Sequence, residues 1–160
     1  MALRVAAWYD GGNDGTGELR MRREDDGVTL VFVYGTLLRG EANHRRLHHA
    51  RVRAAKAFVA GALLYDTGRG YPAMTMASGG PAVHGEVYEV DAATLRSLDE
   101  LEDYYGPDDP RNEYERISVE AETGEGMVRA WTYVFREPPR GERIESGDWR
   151  EHGRRRREAQ

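Results

Sequence analysis

The acidic residue best placed to do chemistry is Glu102, which follows Leu98 by four residues and Leu95 by seven in Ala92-Ala-Thr-Leu-Arg-Ser-Leu-Asp-Glu-Leu-Glu-Asp103. If this segment is helical, Leu95, Leu98 and Leu101 form its buried stripe and Glu102 lies on the same inward face. Asp99, Glu100 and Asp103 then fall on the solvated side. A carboxylate kept from water without a partner has a raised pKa and accepts protons near neutral pH, as a general base must. The spacing leaves a second place open for Glu102, a fraying helix end that reaches water. The other chemical feature is Tyr34-Gly35-Thr36-Leu37, where an apolar run meets a glycine. Successive amides in such a turn cradle an anion such as a carboxylate, and the missing side chain lets a ligand approach the backbone. An ordinary turn glycine looks the same in sequence. On the cradle reading, a side chain at position 35 blocks the ligand while the strand keeps its packing.

Other constellations carry less. The chain has no Cys, which removes disulfides, thiolate nucleophiles and Cys-held metals. His44 and His48 stand four apart, but Arg45 and Arg46 between them mark a surface segment, and no metal site is assigned. His84 sits in a strand pattern and reads as a core imidazole. Ser146 lacks the strand-to-helix elbow that exposes a nucleophilic serine. Tyr71-Pro72 reads as a structural turn rather than a pocket rim. The expectation is a reaction that needs neither metal nor cofactor.

These residues need elements to hold them. Val28-Thr-Leu-Val-Phe-Val-Tyr34 is β-branched and aromatic and nearly all apolar, which predicts a strand buried on both faces that delivers the Gly35 turn. Residues 57–65, 73–77, 83–90, 114–121 and 128–135 read as further strands, separated mostly by Gly, Pro, Asp or Asn. A short helix is expected at residues 44–49. Asp91 is a suitable N-cap for the helix that carries Glu102. Residues 1–27 are read as a flexible extension, 28–149 as the compact domain, and 150–160, with the run Arg154 to Arg157, as a solvated basic tail. At 160 residues this is one domain, and the pattern predicts an α+β fold built on a small, mostly antiparallel, barrel-like sheet with few helices. The net charge of −5 argues against a nucleic-acid partner. No apolar run is long enough to span a bilayer, so no membrane partner and a cytoplasmic location are expected.

The order of motifs adds a resemblance. Tyr34-Gly-Thr-Leu-Leu-Arg-Gly-Glu-Ala-Asn-His44 is similar to the opening of gamma-glutamylcyclotransferase-like proteins, nearest to their gamma-glutamylamine cyclotransferase branch. His84-Gly-Glu-Val-Tyr88 resembles the family's central strand, and Leu98-Asp-Glu-Leu-Glu102 its Leu-Asp-x-x-Glu segment. Tyr114-Glu-Arg116 resembles a Tyr-x-Arg that follows, and Ile144 to Trp149 the closing segment of small bacterial relatives. The resemblance runs from about Leu30 to Trp149. It implies that Glu102 is the catalytic acid/base, that Gly35, Thr36 and Leu37 hold the substrate through their amides, and that Tyr34 and Tyr114 line the pocket. The reaction implied is attack of a glutamyl α-amine on its own γ-carbonyl, which releases 5-oxoproline and an amine. The alternative is a non-catalytic module that binds a small carboxylated ligand in the same pocket. Residues 105–112 form a longer loop than in short-loop relatives, and the extension 1–27 has no counterpart in them. Both bear on which gamma-glutamyl compound is the small-molecule partner.

Overall fold

The computed structural model describes residues 29–160, so the segment read as an extension lies outside the described residues. Among the described residues, eight strands, one 3₁₀ turn and two α-helices follow one another. Strands β1 (Thr29–Val33), β2 (Arg51–Ala60), β5 (Ala82–Val90), β6 (Glu115–Thr123) and β7 (Gly126–Val134) close into a barrel in the order β1-β5-β2-β6-β7. The closing pair, β1 with β7, is parallel, while the other neighbours are antiparallel. A smaller sheet, β4 (Pro72–Met76), β3 (Ala62–Asp66) and β8 (Glu142–Arg143), stands beside it. The fold is thus the α+β, mostly antiparallel barrel that the sequence pattern predicts.

Strand β1 has no solvated face. Phe32 joins Val59, Val83, Val87, Val119 and Ala121 in one cluster that also takes Leu64 and Met74 from the small sheet. Val31 and Val33 face the other way, into a cluster with Tyr88, Val90, Tyr133 and Leu98. Burial on both faces explains why β1 is apolar at successive positions rather than alternating. Its end is therefore fixed from two sides, and the Gly35 turn inherits that rigidity.

Two expectations are corrected. Residues 57–65 are not one strand: Gly61, at φ 68°, turns the chain out of β2 and into β3 of the second sheet. Residues 150–160 are only in part a solvated tail: 154–160 are exposed, as expected, but 150–153 are partly or fully buried. Asp148 caps the amide of Glu151 and starts α2 (Trp149–Glu158), in which His152 is buried. Helix α1 (Ala92–Leu101) forms as expected, with the Asp91 carboxylate accepting from the Thr94 amide at 2.7 Å. The 3₁₀ turn His44–Leu47 replaces the short helix and buries Leu47. Among the described residues no helix is long and apolar enough to cross a membrane.

Candidate active site

Helix α1 ends at Leu101, one residue before the carboxylate of interest. Glu102 stands at its C-cap, its amide still bonded to Leu98 O at 3.0 Å, and Asp103 at φ 48° then reverses the chain. Fully buried Leu98 pins the last turn to the outer face of the barrel, so Glu102 is held half-buried rather than frayed. The loop that follows is closed by Asn112, whose side chain accepts from the Tyr105 amide and donates to Gly106 O, both at 2.7 Å. Glu113 donates its amide to Asp103 O, which brings Glu113 and Tyr114 back beside Glu102.

These groups border a cavity of about 360 Å³. Its walls include all the residues singled out in the sequence: Tyr34, Gly35, Thr36, Leu37, Glu102 and Tyr114. The turn uses its carbonyls and keeps its amides. Gly35 O accepts from the Leu38 amide and Thr36 O from the Asn43 amide, whereas the amides of Gly35, Thr36 and Leu37 have no acceptor among the described residues. The Asn43 side chain donates to Thr36 Oγ1 at 3.0 Å and stiffens the loop from behind. The two tyrosines contribute surface rather than hydroxyls. Tyr34 Oη donates to Tyr133 O and accepts from the Met74 amide, and Tyr114 Oη donates to Pro72 O at 2.7 Å. Burial drives both phenols above their ordinary pKa, so both remain neutral donors.

The Glu102 carboxylate accepts no hydrogen bond and enters no ion pair among the described residues. Burial first, then the nearby Glu113 carboxylate, push its pKa up to about 8, against the opposing pull of Arg46. The α1 C-terminus, which carries the negative end of the helix dipole, acts in the same sense. Glu113 accepts from Tyr71 Oη at 2.7 Å and from Arg69 at 2.6 Å. Glu113 was missed by sequence reasoning, and Tyr71-Pro72, set aside there as a structural turn, lines the pocket. The signal available was the pairing of Arg69 and Tyr71 with one acid, which only the fold reveals. Among the described residues, the cavity's charged walls are Glu102, Asp103 and Glu113, with no base in its lining.

Three further expectations change. Asp99 is not a solvated acid: it accepts from Tyr133 Oη and from Arg116, each at 2.7 Å, and ties α1 to β6 and β7. His84 is exposed on β5, opposite Phe58, rather than in the core. Gly35 has a packing reason to be glycine, because a Cβ there would stand 2.6 Å from Pro72 Cγ and 2.8 Å from its Cδ. A side chain at 35 therefore disturbs the wall itself. Gly35→Val is expected to lower thermal stability and ligand affinity together, with a stability cost of about 1–3 kcal/mol as in other overpacked sites. A melting temperature equal to the parent's, with affinity lost, would restore the simpler account. His44 places Nδ1 2.9 Å from Leu37 O, and His48 contacts Arg45 O. Among the described residues no group of three or more His, Asp or Glu stands close enough to hold a metal.

Residues 31–151 match the family described as "Gamma-glutamyl cyclotransferase, AIG2-like". The chain belongs to this family. It is 41% identical over 124 residues to the gamma-L-glutamyl-butirosin B gamma-glutamyl cyclotransferase of Niallia circulans, a match covering 76% of each chain. It is 36% identical to a gamma-glutamylcyclotransferase family protein of Escherichia coli, over 74% of this chain and 94% of that one. Among solved structures, an AIG2-like protein of Mus musculus superposes with a TM-score of 0.57 at 30% identity, covering 68% of this chain and 77% of that one. A protein of Pyrococcus horikoshii superposes with a TM-score of 0.64 at 27% identity, covering 81% and 97%. The matched span of this gamma-glutamylcyclotransferase family member contains the whole cavity, including the Gly35 turn and Glu102.

Proposed function

We propose that the chain is a gamma-glutamylamine cyclotransferase that releases 5-oxoproline and a free amine, with Glu102 as the acid/base. The observation that carries this reading is an unpaired carboxylate, its pKa pushed up to about 8, lining the same cavity as residues 35–37, whose amides have no acceptor among the described residues. A gamma-glutamyl amide contains both reactants, and folding it into a five-membered ring replaces a bimolecular collision with a positioned one. The Gly35, Thr36 and Leu37 amides hold the substrate's α-carboxylate. Ionised Glu102 takes a proton from the α-amine as its nitrogen bonds to the carbonyl carbon of the γ-amide. The same carboxyl returns that proton to the departing nitrogen as the amide C–N bond breaks, and no water is consumed. Reaction in ¹⁸O-water with a panel of gamma-glutamyl amines tests this directly. Unlabelled 5-oxoproline and one equivalent of amine are expected, whereas labelled glutamate would make the protein a hydrolase.

The base must be ionised to act, so kcat/KM should rise with pH through a limb near 8, the value for Glu102 in the free enzyme. Glu113 helps hold that value high by charge repulsion. Glu113→Gln should therefore move the limb to lower pH and make the variant faster than the parent on the acid side. An unmoved limb would assign the titration to another group.

A further inference from the structure

We propose that helix α2 braces both walls of the pocket, with Arg150 and Arg156 as positioning residues for the cyclisation. The two arginines reach different walls. Arg150 Nη2 donates to Arg39 O at 2.6 Å and to Glu86 Oε2 at 2.8 Å, while Glu86 Oε1 accepts the Arg39 amide at 2.9 Å. Both polar groups of residue 39 are thus clamped, two residues beyond the amides of the Gly35 turn. Glu86 is 5% exposed and also accepts from Tyr88 Oη, so this anchor is rigid. On the other side, Arg156 Nη1 and His152 Nε2 meet Asp66 Oδ2 at 2.7 and 2.8 Å. Asp66 Oδ1 accepts the Gly68 amide at 2.8 Å and so starts the turn that Thr67 closes onto Tyr71 O. Gly70, Tyr71 and Pro72 from that turn line the cavity. Burial alone would raise the Asp66 carboxyl, but the Gly68 amide, His152 and Arg156 hold it below the usual value, as expected of an ionised anchor.

The helix itself cannot drift. Gly147, at φ 67°, packs where a Cβ would lie 2.0 Å from Ala82 O, and its carbonyl accepts the His84 amide, so the approach to α2 is stitched to β5. Glu102 stands at the C-cap of α1, and no hydrogen bond or ion pair from α2 reaches it among the described residues. Loss of a brace therefore displaces the substrate-holding walls and leaves the acid/base in place. The family match ends at residue 151, within α2.

The cyclisation role rests on the proposed activity, whereas the brace itself does not, and the test separates them. Arg150→Met, Arg150→Lys, Arg156→Met and Arg154→Met, the last an exposed control, are compared in the full chain by hydrogen–deuterium exchange and by steady-state kinetics. Arg150→Met should speed exchange in residues 36–43, and Arg156→Met in residues 67–72, each sparing the other segment. Each should lower kcat/KM by roughly tenfold or more through KM, with kcat little changed. Arg150→Lys, which keeps a cationic donor for Glu86, should recover part of both effects. Local exchange changes in a parent that forms no 5-oxoproline would support the brace and refute the activity. Exchange that rises evenly over the chain, or kcat falling at constant KM, would reduce α2 to general support and overturn the proposal. Exchange unchanged in all variants would overturn it as well.

Discussion

Glu102→Gln is expected to abolish most turnover and, at alkaline pH, to stabilise the fold. The first effect follows from chemistry. Gln preserves the size of the side chain but cannot accept the α-amine proton, and a positioned acid/base group contributes about 10²- to 10⁴-fold. The second follows from linkage. The carboxyl has a pKa near 8 in the folded chain against 4.5 when unperturbed, so the fold prefers it protonated. Its contribution is full below pH 4.5, falls as pH rises, and is lost above pH 8, where the pocket must hold a desolvated anion beside Glu113. A neutral Gln removes that burden. Because water reaches the pocket, the gain at pH 9 is on the order of 1 kcal/mol, below what the full shift implies. Glu100→Gln, at an exposed position on the same helix, is the matching control and should change neither property. Asp99→Asn is not a control, since Asp99 holds Arg116 and Tyr133. Parent-like turnover in the Gln variant would falsify Glu102 as the acid/base and favour a pocket that only binds its ligand. Reduced turnover with a lower melting temperature at pH 9 would instead say that Glu102 stabilises the helix end.

What could be read from sequence divides along physical lines. Strand β1 was legible because burial on both faces writes a continuous apolar run, and the Gly35 turn came with it. Helix α1 and the inward aim of Glu102 were legible because Leu95, Leu98 and Leu101 repeat at helical spacing. The break at Gly61 was not, since residues 57–65 stay apolar across it and a strand pattern does not say which sheet each half joins. Glu113 was hidden for a different reason. Its partners Arg69 and Tyr71 lie more than 40 positions away, and its neighbour Glu102 arrives from another element. His84 shows the converse error: a β-strand assigns alternation but not which side is wet. Asp99 shows it again on α1, where an acid off the apolar stripe finds buried partners from two strands.

The largest misreading was at the C-terminal end, and it reverses an experimental outcome. Taken as a solvated tail, residues 150–160 should be removable with activity intact. Their removal is expected instead to unfold the protein or leave it too unstable to purify in active form. Beyond Trp149, which packs on the core, the helix carries no apolar stripe to announce its docking, and its salt bridges reach Glu86 and Asp66, 64 and 90 positions away. Those two acids are 5% and 4% exposed. Deleting α2 strips Arg150 from Glu86, and His152 and Arg156 from Asp66, leaving two buried carboxylates without their cations. The acids are buried but their cations are partly in solvent, Arg150 37% and Arg156 60% exposed, so each loss falls below the figure for a wholly buried pair; two losses of about 2 kcal/mol each still take a large share of the roughly 5–15 kcal/mol that holds an ordinary domain together. The loss should ease as pH falls, because the stranded Asp66 carboxyl, no longer held low by His152 and Arg156, can then take up a proton. Thermal melts of the 1–149 fragment and the full chain at pH 8 and pH 5 would read this. The fragment should lack a cooperative transition at pH 8 and regain part of it at pH 5. A fragment that melts like the full chain at pH 8 would return these residues to the role of a tail.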